Sequence, residues 1–285
     1  GVPLGNVSAT VTTFQPGSVC FDCLTSRVAA AGLEPAAEPT ADRPAAHLAG
    51  SYAALQAIRA FSGAEVAGVV IEVPYAERSV LPVPNCDHAP ERERSLDLDV
   101  VDRSLEATIN RAEIAIDDRV EIVPQVGEHD SFPLPYYLAR VTNVGGWSDG
   151  SPPDRAAGVA PTWDQAFMKA VGEALERYSA AIYRTEELQH TPVEALTDPA
   201  PETFASVTRE QIDSLDAPIP AVEGLDLHES RRTLLPADLV FFPPPTGRLG
   251  QSITTGLGLG SGGVEAVLSG LYETIERDAT MLAWY

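Results

Sequence analysis

Three cysteines and one histidine have the types and spacing of a metal site. Cys20 and Cys23 stand three residues apart, and Cys86 follows much later with His88 two residues beyond it. Zinc takes four nitrogen or sulfur ligands in a tetrahedron, and Cys20, Cys23, Cys86 and His88 supply such a set. Asp87 is a rival for the fourth place, and three small buried cysteines beside a surface His88 are the plain alternative. A redox Cys-x-x-Cys would need a thioredoxin-like strand and helix around it. Zinc held here is structural, because nothing nearby offers an open coordination position or a base.

The second chemistry lies in glutamates. Gly172-Glu173-Ala174-Leu175-Glu176-Arg177-Tyr178 and Tyr272-Glu273-Thr274-Ile275-Glu276-Arg277-Asp278 both carry Glu-x-x-Glu-Arg inside apolar, helix-patterned stretches, and Glu265 precedes the second. At roughly 100° per residue, Glu273 and Glu276 fall about 80° and 20° from Glu265 around the helix. Glu173 and Glu176 are neighbours on theirs. Packed together, the two helices would gather five carboxylates, whose repulsion a hard divalent cation carrying phosphates relieves, above all Mg²⁺. Solvated helix faces with Glu–Arg pairs are the alternative. Between these motifs, Gly256-Leu257-Gly258-Leu259-Gly260-Ser261-Gly262-Gly263 opens the second helix. Gly258, Gly260 and Gly263 satisfy the dinucleotide pattern G-x-G-x-x-G, which a loop so rich in glycine matches easily. On either reading, such a loop offers backbone N–H donors to phosphate.

The elements that must position these residues fall into two expected domains, 1–95 and 100–285. In the first, a strand at 7–14 leads into a helix from Cys20–Leu24 to Ala31, then a Pro/Ala-rich loop from Glu34 to Pro44. A second helix covers 47–61, a strand pair 67–73 and 78–83, and a charged linker 91–99. In the second, helices are expected at 103–116, 163–183 and from Val264 onward. Strands are expected at 121–126, 136–142, 234–242 and 252–255, with a Pro-punctuated acidic stretch at 189–220 holding a short helix. Strands and helices mix without βαβ periodicity, so the fold class is α+β. No repeat of fixed period stands out.

Charge sets the surroundings. The 285 residues hold 19 Lys+Arg against 41 Asp+Glu, a formal net charge of −22, and Lys169 is the only lysine. That surface repels phosphate backbones and excludes a general nucleic-acid binder. It suits a halophile's cytoplasm, where molar salt shortens the Debye length to about 3 Å and screens self-repulsion; an acidic protein from a high-GC mesophile is the plain alternative. No apolar run approaches the ~18 residues of a membrane span, and Gly1–Gly5 is not a signal peptide. Without an initiator Met, and with a helical pattern running to Tyr285, the chain reads as a fragment of a longer protein.

With both glutamate helices in view, residues 100–285 resemble the first half of the YcaO family domain, ATP-dependent enzymes that activate peptide amide bonds. The resemblance rests on Gly172–Tyr178 and on Thr255–Gly262 followed by Glu265 and Glu273–Ala279. Ser104–Ile109 and the strand lead-in Phe132–Tyr137 support it. It implies that Glu173, Glu176, Glu265, Glu273 and Glu276 hold Mg²⁺ and the phosphates of ATP. Arg277, Ser261 and Thr108 would contact nucleotide, Thr108 in place of a Ser. Ser261 and Thr255 stand where the family has Asn, Lys169 where it has Ser, and Arg155–Gly158 where it has Gly-Lys-Gly. Pro16–Arg27 resembles the tail of a ThiF-like domain, which in azoline-forming systems precedes the YcaO domain, holds structural zinc and helps present the peptide. That family's second zinc pair is Cys-x-x-Cys; here Ala89 takes the last place, so His88 must substitute.

The implied function is phosphorylation-driven activation of a backbone amide in a ribosomal peptide, as in bacteriocin biosynthesis. A Cys, Ser or Thr side chain or sulfide attacks the carbonyl, ATP phosphorylates the resulting oxyanion, and elimination leaves an azoline or thioamide. No side chain is expected as a catalytic acid or base. Expected partners are a precursor peptide or protein, a companion modifying enzyme and a second copy in a homodimer, with no nucleic acid and no membrane. The source expected is haloarchaeal. Two rivals stand beside this reading: a non-catalytic peptide-docking protein with a drifted ATP site, and a nucleotide-dependent oxidoreductase using the glycine loop.

Overall fold

The computed structural model describes residues 9–284 apart from 16, 33–42, 65, 75, 87, 89–95, 131, 205 and 251–252. Val7, Ser8, most of the Pro/Ala-rich loop, Asp87 and most of the linker therefore lie outside the described residues. Two compact units divide the chain. One comprises Gly1–Asp97, Asp102–Trp147 and Asp154–Ala174, the other Leu98–Val101, Ser148–Pro153 and Leu175–Tyr285.

Among the described residues, the first unit holds two sheets. β1 (Ala9–Thr13), β2 (Val69–Val73) and β3 (Ala76–Ser79) form an antiparallel sheet in that order, with Val11 opposite Ile71. The β-branched run of β2 suits its central place, and Val70, Ile71 and Val73 are buried. α1 (Phe21–Ala30) buries Cys23, Leu24, Arg27 and Val28, one stripe at helical spacing. α2 (Arg43–Phe61) starts four residues ahead of expectation and buries only Ala45 and Gln56. α3 (Leu105–Ala112) is capped by Ser104, whose side chain accepts the Ala107 N–H.

β4 (Gln125–Glu128), β5 (Tyr136–Arg140) and β6 (Arg155–Val159) make the second antiparallel sheet. The strand expected at 121–126 is displaced because Glu121 and Val123 are committed elsewhere. Glu121 accepts the Leu81 N–H, and Val123 exchanges backbone bonds with Ala115 and Asp117. β6 was not expected: Ala-Ala-Gly has little strand propensity, and packing supplies what propensity does not. α4 (Trp163–Ala180) begins in this unit and ends in the other.

The second unit contains β7 (Gln189–Thr191), β8 (Ile219–Asp226) and β9 (Arg231–Pro236), again antiparallel. Val193, Leu196, Val207, Ile219, Ala221 and Leu249 form its core. α5 (Arg209–Asp213) is the short helix expected in the acidic stretch, opened by a Thr208–Gln211 capping box. The strand expected at 234–242 runs earlier and stops at Pro236. There a short 3-10 turn turns Asp238 inward to collect the amides of Thr246, Arg248 and Leu249. Ile253–Thr255, expected to be strand, are not. α6 (Gly263–Trp284) is the final helix.

Among the described residues the three sheets are antiparallel, an α+β arrangement rather than a doubly wound one. Among the described residues, no helix is long and apolar enough to cross a membrane.

Candidate functional site

The sulfur cluster is assembled in the first unit. Cys20 stands at the N-cap of α1, Cys23 one turn inside it, and Cys86 and His88 follow β3. Cys20 Sγ lies 3.6 Å from Cys23 Sγ and 3.5 Å from Cys86 Sγ, and Cys86 Sγ lies 4.0 Å from His88 Nδ1. Two thiolates on one tetrahedral zinc, at ~2.3 Å each, are about 3.8 Å apart, so these spacings match the edges of that tetrahedron. The ligand atoms of Cys20, Cys86 and His88 all fall within 4.8 Å of one another, and all three cysteines are free thiols. Cys23 is fully buried and accepts the Val83 N–H at 3.4 Å, which ties the segment after β3 to α1. Burial works to raise the Cys20 thiol, but the Cys23 N–H and the thiols of Cys86 and Cys23 outweigh it and hold Cys20 below its usual value. Burial pushes Cys86 up to about 11. His88 is exposed, with Asp22 3.6 Å from its Nδ1. Asp87 lies outside the described residues. Cys23 Sγ falls outside that group of three, so the atoms that converge are those of Cys20, Cys86 and His88, nitrogen and sulfur donors of the kind zinc takes.

In the second unit, carboxylates grip the glycine loop by its backbone. Gly256 N–H donates to Glu273 Oε2 at 3.1 Å, Leu259 N–H to Glu176 Oε1 at 2.7 Å and Ser261 N–H to Glu265 Oε2 at 2.7 Å. The Ser261 hydroxyl donates to the same Glu265 oxygen, and the two contacts hold Glu265 below the usual carboxylate range. The loop can lie this close only because Gly258 and Gly260 carry no side chain. A Cβ on Gly258 would stand 2.2 Å from Ala266 O, and one on Gly260 2.3 Å from Ala266 N. Glu273 also accepts Arg277 Nε at 2.9 Å, the Glu–Arg pairing weighed as the alternative. Glu276 is exposed. Each carboxylate bonded to the loop takes a different backbone N–H. Among the described residues, only the Cys20–Cys86–His88 group brings three metal-ligating atoms within 4.8 Å of one another. The donors are hard oxygens around a glycine-rich loop, the donor type that suits a divalent cation with phosphate.

Glu173 belongs to the first unit and accepts the Ala157 N–H of β6 at 2.7 Å. A Cβ on Gly158 would meet Ala166 O at 2.1 Å and Ala170 N at 2.4 Å. Gly258 meets Ala266 O and Gly270 N at 2.2 and 2.6 Å in the same way, one hundred positions later. Each copy is a small-residue stretch pressed onto the helix that follows, with a glutamate of Glu-x-x-Glu-Arg taking a backbone N–H near the glycine. Sequence inspection missed this repeat, because the shared residues are a few glycines, alanines and glutamates; the signal was the common Glu-x-x-Glu-Arg. Thr108 sits half-buried on α3 in the first unit, its hydroxyl donating to Ser104 O at 3.0 Å. The dinucleotide pattern lacks the strand that should precede it, since Ile253–Gly262 hold none among the described residues.

Residues 157–285 match the family model described as YcaO cyclodehydratase, ATP- and Mg²⁺-binding. An uncharacterized protein of Methanothermobacter thermautotrophicus is 35% identical over 135 residues, covering 44% of this chain and 33% of its own length. A heterocyclase solved in complex with substrate and cofactor is similar over 99% of this chain, with TM-score 0.70 and 19% identity. The heterocyclase TruD follows at TM-score 0.65 and 19% identity, again over 99% of the chain. At that identity both likenesses show a shared fold. The chain spans 33% of the curated relative's length, and 48% and 45% of the two heterocyclase chains.

Proposed function

We propose, from the YcaO-family segment at residues 157–285, that this chain is the nucleotide-binding part of an ATP- and Mg²⁺-dependent enzyme that activates backbone amides of a peptide or protein. The observation that carries the reading is the glycine loop seated on Glu176, Glu265 and Glu273 inside the matched segment. Bound ATP would supply the phosphoryl group that turns the amide oxygen into a leaving group. The protein's part is positioning and charge neutralisation. Glu176, Glu265, Glu273 and Glu276 would present hard oxygens to Mg²⁺, and Glu173 is assigned to the same set by the motif it shares with Glu273. Ser261, Thr108 and Arg277 are the proposed nucleotide contacts. Cys20, Cys23, Cys86 and His88 would hold structural zinc that fixes α1 against the segment after β3. The products proposed are azoline or thioamide groups, with the side-chain or sulfide nucleophile left to the substrate and any partner enzyme.

Isothermal titration of Mg²⁺–ATP in molar KCl on the full-length protein tests this, comparing wild type with Glu173→Gln/Glu276→Gln. Magnesium-dependent binding that disappears in the double variant supports the reading. A folded wild type that binds no ATP overturns it and leaves a peptide-docking role in its place.

A further inference from the structure

Glu273 is already occupied by a cation. Its Oε1 accepts both Nε and Nη2 of Arg277 at 2.9 Å, and its Oε2 accepts the Gly256 N–H. The guanidinium thus fills Oε1, and the loop takes one of the two acceptor sites of Oε2. A divalent cation that takes Oε1, or chelates both oxygens, does so by displacing the guanidinium or the loop. The guanidinium is the easier to move: the pair is one turn apart on α6 with Arg277 more than half exposed, and such exposed pairs are weak. Its release is productive, because a planar fork of N–H donors freed at a glycine loop is suited to a phosphate oxygen.

We propose that Arg277 is a positioning residue that holds Glu273 until a divalent cation takes the carboxylate. The same exchange turns the guanidinium toward the nucleotide's phosphates, so that cation and nucleotide bind as a coupled pair. The proposal rests on the ATP- and Mg²⁺-dependent reading above and adds an order to it: the arginine competes with the metal and cooperates with the nucleotide. Coupling of this kind is reciprocal, so each ligand raises the affinity for the other.

The opposite signs make it testable on the full-length protein in 1 M KCl, where the Debye length of about 3 Å leaves little influence to a charge that is not in contact. Binding of Mn²⁺ alone is read by electron paramagnetic resonance. Binding of a non-hydrolysable ATP analogue with Mg²⁺ is read by calorimetry, for wild type, Arg277→Gln and Arg277→Lys. The expected result is Mn²⁺ binding tightened about threefold or more in Arg277→Gln, with nucleotide binding weakened roughly tenfold; Arg277→Lys falls between on both scales. A merely structural arginine would weaken both. Unchanged or weaker Mn²⁺ binding in both variants, with wild type binding Mn²⁺ normally, overturns the exchange and leaves the broader reading standing. A folded wild type that binds neither probe overturns that reading and the exchange with it.

Discussion

Glu121 accepts the amide hydrogen of Leu81 at 2.7 Å. On the same stretch of chain, Arg27 donates from α1 to Leu81 O at 3.2 Å and Pro82 O at 3.1 Å, with its guanidinium 5.3 Å from the centre of the Trp147 ring. Leu81–Val83 therefore passes between a carboxylate from the segment before β4 and an arginine from the helix that bears Cys20 and Cys23. Val83 donates to Cys23 Sγ. The sulfur cluster and the residues around β4 are thus joined by contacts made inside the first unit. Burial raises the Glu121 carboxyl to about 7, despite the opposing pull of Arg27.

The raised carboxyl has a pH signature. Below an ordinary value of 4.5 the group is protonated folded and unfolded; between there and about 7 the folded chain holds the extra proton. Stability therefore falls as pH rises through that window and levels off above it, by roughly 3 kcal/mol at most. Glu121→Gln, which keeps an acceptor for Leu81, is expected to be more stable than wild type at pH 8 and equal to it near pH 4.5. Chemical denaturation across that range checks this; parallel pH profiles for the two proteins would count against it.

How much of this was legible depended on whether signal lay in pattern or in packing. α1, α4 and α6 were found within a few residues, because apolar spacing and the motif residues agree there. β2 was legible from its β-branched run. β6 was not, since Arg-Ala-Ala-Gly-Val becomes a strand through Gly158 lying against Ala166 and Ala170 of α4, a contact no local preference encodes. The proximity of Cys20, Cys86 and His88 was legible because few residues in the chain are thiols and their spacing singles them out; that Cys23 lies outside that group of three was not. That Glu176, Glu265 and Glu273 would each hold a loop amide was not: composition names a carboxylate without naming its donor. The Arg27–Leu81–Glu121 contact was equally hidden, joining residues far apart in the chain.

The thiol cluster should carry zinc. Elemental analysis of the full-length protein is expected to give one zinc per chain, lost in Cys86→Ser. His88 sits at the exposed edge, so His88→Ala should weaken retention against a chelator while costing less stability than Cys20→Ser, whose sulfur also caps α1. Stoichiometric zinc surviving in Cys86→Ser would refute the assignment.

The two close glycine contacts make a matched pair of variants. Gly158→Ala and Gly258→Ala each put a Cβ within 2.2 Å of a helix carbonyl, so backbone must move. Losses of about 2 kcal/mol or more are expected, and in Gly258→Ala the displaced loop should also lose nucleotide affinity. Gly50→Ala, mid-helix on α2 with open space around it, is the control and should gain up to about 1 kcal/mol. Thermal unfolding ranks the three.

Salt should stabilise the protein rather than weaken it. Exposed ion pairs such as Arg209–Asp213 and Arg184–Glu187 each contribute under about 1 kcal/mol and are lost on screening. Opposing them is a net charge of −22, whose self-repulsion acts over the whole surface and is also screened. Raising KCl from 0.1 to 1 M shortens the Debye length from about 10 Å to about 3 Å, which removes repulsion among many carboxylates and attraction within a few pairs. The first effect is the larger, so the unfolding midpoint is expected to rise by several degrees across that range. A midpoint that falls instead would mean that the charge pairs dominate, and would argue against a protein adapted to a molar-salt cytoplasm.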